Sequence, residues 1–311
     1  MKYSEWIVQW LCRKEPLVKE STFAAYSNIV VNHLRPKFGK FALEEITESV
    51  MQDYAFELIK SGRLDGTGGV NERTAKDIVV VLKNSLKAAM RMKLLTQTVF
   101  EIKFPSRPDS CKINVLSREA QQRLVQSVYL NLNNRNVGII LSLYTGLRIG
   151  EICGLQWKDI DLETKTLHVR RTLQRVYKKE LDGKGKSKLL IGSPKTRTSA
   201  RGIPLSQTLV PVLRKIHSAE GDHFVIGGKI TCVEVRTFRT YFETFLKKHG
   251  IERMRFHDLR HTFATRCIEM GGDCKTVSEL LGHATVNMTL NLYVHPQMEQ
   301  KRLCVDRLEI F

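Results

Sequence analysis

Apolar side chains in the first hundred residues recur three and four positions apart and nowhere alternate over a long run, which restricts that part of the chain to amphipathic helices. Trp6, Ile7, Trp10 and Leu11 share one helical face. Ser21-Thr22 can cap a second helix through Tyr26, Ile29, Val30 and Leu34, and Pro36 and Gly39 end it. Thr47 can cap a third, with Met51, Tyr54, Ala55 and Leu58 on one face. Gly62, Gly66, Gly68 and Gly69 form a break. A fourth helix is predicted from about Asn71 to Met92, striped by Val79, Val80, Leu82, Leu86 and Met90. Lys83, Lys87, Arg91 and Lys93 on the polar faces suit either a solvated surface or a row of phosphates.

The pattern stops at residues 104–112, Phe-Pro-Ser-Arg-Pro-Asp-Ser-Cys-Lys, where two prolines among small polar residues read as a linker. We therefore expect a helical domain over 1–106, a linker over 107–114 and a second domain over 115–311. Ser117 can cap a helix with Leu124 and Val128, and another carries Val137, Ile139, Ile140, Leu143 and Leu147. Thr166 to Leu173 alternates as a strand does, and Leu189-Leu190-Ile191 and Gly202-Ile203-Pro204-Leu205 read as further strands. From Gln207 the chain is again mainly helical. The expected fold class is mainly α with one small antiparallel sheet, an α+β arrangement behind an all-α first domain.

The 50 Lys and Arg residues outnumber the 32 Asp and Glu, for a net charge of +18 and a pI near 9.7. The surplus is present before and after the linker, with 17 basic against 12 acidic side chains in 1–108 and 33 against 20 in 109–311. A single basic tail cannot account for it, and nucleic acid is the expected partner. Seven cysteines, an odd number with no C-x-x-C pair, argue against a disulfide framework or a zinc ribbon and for reduced, mostly packed thiols in a cytoplasm. No apolar run approaches the ~20 residues of a membrane span.

Two suggestive patterns fail. Gly185-Lys186-Ser187 resembles the end of a P-loop, but the glycine that motif needs five positions earlier is Glu180. His257 and His261 have zinc-protease spacing, but Asp258 stands where that motif has glutamate. No metal site and no cofactor are expected.

Four segments carry more. Arg148 and Glu151 in Thr145-Gly146-Leu147-Arg148-Ile149-Gly150-Glu151 lie three apart, and alone would be a surface ion pair. Pro194-Lys195-Thr196 precedes Ala200-Arg201-Gly202-Ile203-Pro204-Leu205 and puts a lysine on a turn between strands. His257 and Arg260 are three apart in His-Asp-Leu-Arg-His-Thr-Phe, with Leu259, Phe263 and Ala264 as apolar anchors. Gly282-His283 is followed ten residues later by Tyr293 on an amphipathic stretch. Each segment alone fits an ordinary structural role. Together, in this order, they resemble the tyrosine recombinases, the lambda-integrase family, from near Leu116 to Tyr293. Ser21-Thr22-Phe23-Ala24-Ala25-Tyr26 and Phe38 to Thr47 are similar to that family's helical core-binding domain. The Pro-Lys-Thr context is similar to integrases of Gram-positive conjugative transposons.

The chemistry of the residue types agrees with that resemblance. Arg148 and Arg260 can hold the non-bridging oxygens of a phosphate bidentately, as an oxyanion hole does. A tyrosine hydroxyl, of pKa about 10, needs a proton acceptor to attack near neutral pH, and His257 is the natural one. The resemblance implies Lys195 as general acid toward the leaving 5′-oxygen, with Lys186 and Lys188 as rivals on the long basic hairpin from Tyr177 to Pro194. His283 would hydrogen-bond a phosphate oxygen, and Glu151 would orient His257 or Arg148. The resemblance further implies a covalent 3′-phosphotyrosine at Tyr293, exchange of strands through a Holliday junction, a tetramer on double-stranded DNA core sites, an accessory directionality factor, and integration or excision of a mobile element without metal or ATP. The chain is expected to be either a two-domain recombinase or one shortened by an arm-binding domain. The apolar tail with Met298, Leu303, Val305, Leu308, Ile310 and Phe311 is expected to dock on a neighbouring protomer or, as the alternative, to pack on its own domain. The alternatives are a type IB topoisomerase and a DNA-binding regulator that has kept the fold and lost catalysis.

Overall fold

A computed structural model describes residues 1–96, 101–105, 114–194 and 197–293, together with Arg302 and Asp306; for Arg197 and residues 291–293 only the backbone is described. The chain forms two compact units, one of residues 1–110 with 176–188, the other of residues 111–175 with 189–311. The expected linker and the apolar tail lie almost wholly outside the described residues.

The first unit is helical: α1 (Tyr3–Lys14), α2 (Glu20–Ile29), α3 (Arg35–Phe38), α4 (Glu48–Ser61) and α5 (Glu72–Arg91). Tyr3, Trp6, Ile7 and Trp10 of α1 are buried against Val79, Leu82 and Leu86 of α5 in one core. The polar tips of Tyr3 and Trp6 find partners there. The Tyr3 hydroxyl lies 3.0 Å from the Ser85 hydroxyl, and the Trp6 indole N–H donates to the Ser85 carbonyl at 3.0 Å. Thr47 and Asn71 cap α4 and α5, accepting from the N–H groups of Val50 and Thr74.

Three local expectations change. Lys19 occupies the cap position of α2, so Ser21 and Thr22 lie inside it. Pro36 does not stop the helix; a π-turn over Val30–Leu34 shifts the hydrogen-bond ladder and Pro36 falls in the first turn of α3, where a missing N–H costs little. Val80 is exposed, because a helix that buries Val79 and Val81 must turn the residue between them outward.

The second unit opens with α6 (Arg118–Leu130), capped by Ser117, then α7 (Asn134–Thr145) and α8 (Ile149–Cys153). Strands β1 (Ile160–Asp161), β2 (Thr166–Val169), β3 (Thr172–Lys179), β4 (Gly185–Gly192) and β5 (Arg201–Pro204) follow. Helices α9 (Val210–Ile216), α10 (Val235–Lys248), α11 (Phe256–Glu269), α12 (Cys274–Leu281) and α13 (Asn287–Tyr293) complete it. The β strands make two small sheets rather than one. A three-stranded antiparallel sheet has the order β1-β2-β5, with Leu167 opposite both Ile160 and Ile203, and β3 with β4 forms a separate ribbon. The alternation from Thr166 to Leu173 is broken at Arg170-Arg171 because Arg171 turns inward to the Asp159 carboxylate, only 1 % exposed, at 2.9 and 3.2 Å.

Residues 176–188 of the ribbon belong to the first unit. There the Asn28 side chain acts as a strand partner would: its amide donates to the Tyr177 carbonyl at 2.6 Å, and its oxygen accepts from the Lys179 N–H at 2.7 Å. Ser27 donates to the Lys179 carbonyl and Arg35 to that of Leu181.

Helix α7 is the spine of the second unit. It is buried along nearly its whole length, from Asn136 to Leu143. Gly138 admits Phe238 and Ile226, and α11 lies along α7. Among the described residues no helix is long and apolar enough to cross a membrane. The cysteines described are free thiols: Cys153 is buried, Cys232, Cys267 and Cys274 are partly buried, and Cys12 is exposed.

Candidate active site

Arg148, Glu151, His257, Arg260 and His283 are each delivered by the end of a helix. Helix α7 stops at Gly146, whose left-handed backbone (φ 65°) turns the chain so that Arg148 becomes the N-cap of α8. Glu151, in the first turn of α8, accepts the Arg148 N–H at 2.9 Å through one oxygen and the Arg148 guanidinium at 2.8 Å through the other. This is no surface ion pair, since Glu151 is 4 % exposed. His257 and Arg260 sit in the first turns of α11, where Asp258 caps the helix by accepting the Arg255 N–H. His283 follows the left-handed Gly282 that ends α12, and its Nδ1 lies 2.9 Å from the Thr289 hydroxyl of α13.

The end of α12 gathers the arginines. Its last carbonyls each accept from a different guanidinium: Leu280 from Arg201 at 2.5 Å, Leu281 from Arg260 at 2.8 Å and Gly282 from Arg148 at 3.2 Å. Arg260 also donates to the Gly146 carbonyl at 2.7 Å, tying α11 to the turn before Arg148. The C-terminal end of a helix carries partial negative charge, so cations placed there are stabilised.

Beside this knot lies a cavity of 270 Å³ lined by His257, Arg260, His261, Ala264, Leu281, His283 and Met288. The His257 imidazole is pushed down to about 4, by desolvation first and then by His261, Arg260 and Arg148. His283 is pushed down to about 4 as well, by desolvation and then by Arg260, Arg148 and Arg201. Both rings are neutral at pH 7, one nitrogen of each able to accept a proton or hydrogen bond. The His257 and His261 rings meet edge to face, centroids 4.7 Å apart. Burial alone would raise the Glu151 carboxyl, but Arg201 and then Arg148 hold it below the usual range. Among the described residues no group of three or more His, Cys, Asp or Glu side chains is placed to hold a metal ion.

Arg148, Glu151, His257, Arg260 and His283 are thus brought together. Tyr293 ends α13, and its side chain lies outside what is described. Lys195 lies outside the described residues; the chain is described to the buried Pro194 and resumes at Arg197. The rivals Lys186 and Lys188 lie in β4 within the first unit, Lys188 paired with Glu20 at 3.2 Å. The sequence leads one to expect Glu151 to pair with His257 or Arg148; its ion-pair partners are Arg148 and Arg201. The sequence reading assigns no role to Arg201, although it stands within the Ala-Arg-Gly-Ile-Pro-Leu segment that follows Lys195. His261, which the sequence suggests only as a zinc ligand, lines the cavity.

Residues 114–300 match the phage integrase family, and residues 2–59 match the phage integrase N-terminal SAM-like domain. The chain belongs to the phage integrase family. It is a tyrosine recombinase, and recombination and integration at specific DNA sites are the activities of its kind. The XerC-like tyrosine recombinase of Caldanaerobacter subterraneus subsp. tengcongensis is 27% identical over 93% of this integrase and 78% of its own length. The ICEBs1 integrase of Bacillus subtilis is 24% identical over 90% and 75%. The fold is similar to that of the Tn1549 transposon integrase solved with circular intermediate DNA, with a TM-score of 0.75 and 20% identity over 99% of this chain and 100% of that one.

Proposed function

We propose that this integrase cuts and rejoins DNA strands at specific sites through a covalent bond between Tyr293 and a 3′-phosphate, exchanging strands by way of a Holliday junction to integrate or excise a mobile element. The observation that carries this reading is that Arg260, His257 and His283 line one cavity, with Arg148 held beside it on the Gly282 carbonyl. Arg148 and Arg260 hold the non-bridging oxygens of the scissile phosphate and stabilise the charge that builds as phosphorus becomes pentacoordinate. His257, neutral at pH 7, accepts the hydroxyl proton of Tyr293. The tyrosine oxygen bonds to phosphorus, the bond from phosphorus to the 5′-oxygen breaks, and Lys195 protonates that oxygen. His283, steadied by Thr289, donates to or accepts from the phosphate side of the cavity, while Glu151 orients Arg148.

The phosphotyrosine keeps the energy of the broken bond, so a free 5′-hydroxyl from another strand can reverse the step. Neither metal nor ATP is required by this scheme. Residues 1–106 serve as a core-type DNA-binding domain, 107–114 as a linker and 115–311 as the catalytic domain with its tail. The partners are double-stranded core sites, three further copies of the chain and an accessory directionality factor, all in the cytoplasm. Lambda integrase, similar in fold with a TM-score of 0.59, is a tetramer when bound to a Holliday junction.

The test uses nicked duplexes of random core sequence, from which the wild-type protein selects its own site by covalent capture. Wild type is expected to trap DNA, and Tyr293→Phe to trap none while binding the selected duplex nearly as tightly. A wild type that binds but never becomes linked would instead be a silent regulator. On two-site DNA a recombinase yields recombinants, whereas relaxation of one supercoiled plasmid alone would indicate a topoisomerase.

A further inference from the structure

Arg201 is the least exposed cation of the arginine knot apart from Arg260, at 6 % of its side chain. Its guanidinium grips Glu151 with both ends, Nη1 to Oε1 at 3.2 Å and Nη2 to Oε2 at 3.1 Å. The same group is fixed from behind by the carbonyls of Ser199 at 3.0 Å and Leu280 at 2.5 Å. Glu151 in turn holds the Arg148 guanidinium at 2.8 Å and the Arg148 N–H at 2.9 Å. The backbone makes room for this arrangement: a Cβ on Gly282 would stand 2.9 Å from Nη1 and 3.0 Å from Cδ of Arg201. A carboxylate held by one arginine can swing about that bond. Held by two, with four hydrogen bonds, it has one position.

We propose that Arg201 is a positioning residue of this active site, fixing the Glu151 carboxylate so that Arg148 meets the scissile phosphate in one orientation. Arg201 does not touch the phosphate itself; it acts through Glu151. Its field is the largest favourable influence on the Glu151 carboxyl, which keeps that carboxylate charged and able to hold Arg148. The role rests on the phosphate chemistry proposed above for Arg148. Displacing a catalytic group by about 1 Å can cost on the order of 10²-fold in rate.

The experiment measures single-turnover cleavage at saturating DNA, together with DNA affinity, on the nicked duplex that the wild type itself selects. Arg201→Met should cleave about 10²-fold more slowly with affinity little changed, and Arg201→Lys, which restores the charge without the fork, should recover part of that rate. In the pair Arg201→Met with Glu151→Gln the two losses should not multiply, because one acts through the other. Arg171→Met is the control for mere destabilisation: it breaks the neighbouring Arg171–Asp159 pair, so it should lower the unfolding temperature and leave cleavage near the wild-type rate. If Arg201→Met fails to unfold cooperatively, Arg201→Lys takes its place in the pair with Glu151→Gln, with the same expectation. Three results overturn the role: Arg201→Met cleaving within threefold of wild type, losses that multiply, or a loss confined to DNA affinity. Those outcomes leave wild-type capture intact and so spare the functional reading. A wild type that captures no DNA removes that reading, and the positioning role with it.

Discussion

Gly146 lies between the spine helix and Arg148, and replacing it with alanine tests whether that turn builds the active site. Two costs arise. The left-handed backbone at φ 65° is strained for any L side chain, by roughly 1–2 kcal/mol. The new Cβ would also stand 2.6 Å from Phe263 Cδ1 and 2.8 Å from Leu281 Cδ2, an overpacking of roughly 1–3 kcal/mol. Gly250 separates the two costs. It has φ 62° at the end of α10 in the same unit, with nothing within 4 Å of where a Cβ would sit. Gly250→Ala should therefore show the strain alone. Gly146→Ala should be lower in unfolding temperature by a further ~2–12 °C, from ~2–4 °C per kcal/mol for a unit of this size. The Gly146 carbonyl also anchors Arg260, so Gly146→Ala should slow cleavage while Gly250→Ala does not. Calorimetry of both variants and cleavage of the selected duplex decide it. Equal shifts in the two variants, or full activity in Gly146→Ala, would refute the reasoning.

Arg260→Lys keeps a charge but cannot reach the Gly146 and Leu281 carbonyls and a phosphate together, so cleavage should fall by ~10²–10³-fold with DNA affinity nearly preserved, as read by single-turnover rates and a binding titration. His257 and His283 are lowered from 6.5 to about 4. Between those values the unfolded chain binds more protons than the folded one, so stability is fully present above pH 6.5 and is lost as pH falls through about 4. Unfolding temperature should decline over that window and decline less in His257→Gln; a rise on acidification would contradict the assignment. Lys195→Ala should lose ~10²–10⁴-fold in cleavage of an ordinary phosphodiester and recover when sulfur replaces the 5′-bridging oxygen, since a thiolate leaves without a proton. Lys188→Ala, which removes only the pair with Glu20, should do neither.

Where the sequence was legible, the deciding forces were local. Thr47, Asn71 and Ser117 cap helices through N–H groups three residues on, and such bonds depend on nothing distant. The set of Arg148, His257, Arg260 and His283 could be read because its order resembles that of the tyrosine recombinases, and phosphate chemistry accounts for the residue types. What could not be read depended on partners far along the chain. The strand break at Arg171 is set by Asp159, twelve residues away and buried. The ribbon residues 176–188 join the first unit through Asn28, about 150 positions earlier, whose polar side chain gave no hint of pairing with backbone. Glu151 looked like a surface partner for Arg148 because i,i+3 spacing says nothing about Arg201, fifty residues on.

The knot at the end of α12 also bears on how much charge the site can offer. A carboxylate would orient an arginine firmly but would cancel much of its field at the phosphate. A backbone carbonyl orients it with a dipole and leaves the full charge in place. Leu280, Leu281, Gly282, Ser199 and Gly146 do this for the three arginines. Glu151 is the one carboxylate bound to them among the described residues, and it is divided between Arg148 and Arg201. Three guanidinium groups against one carboxylate leave a positive surplus beside a cavity that Arg260 lines and whose His257 and His283 are neutral at pH 7. A phosphodiester brings one negative charge, and its pentacoordinate state gathers more. The surplus therefore stabilises that state more than the ground state, which is the condition for accelerating strand cleavage rather than merely binding DNA.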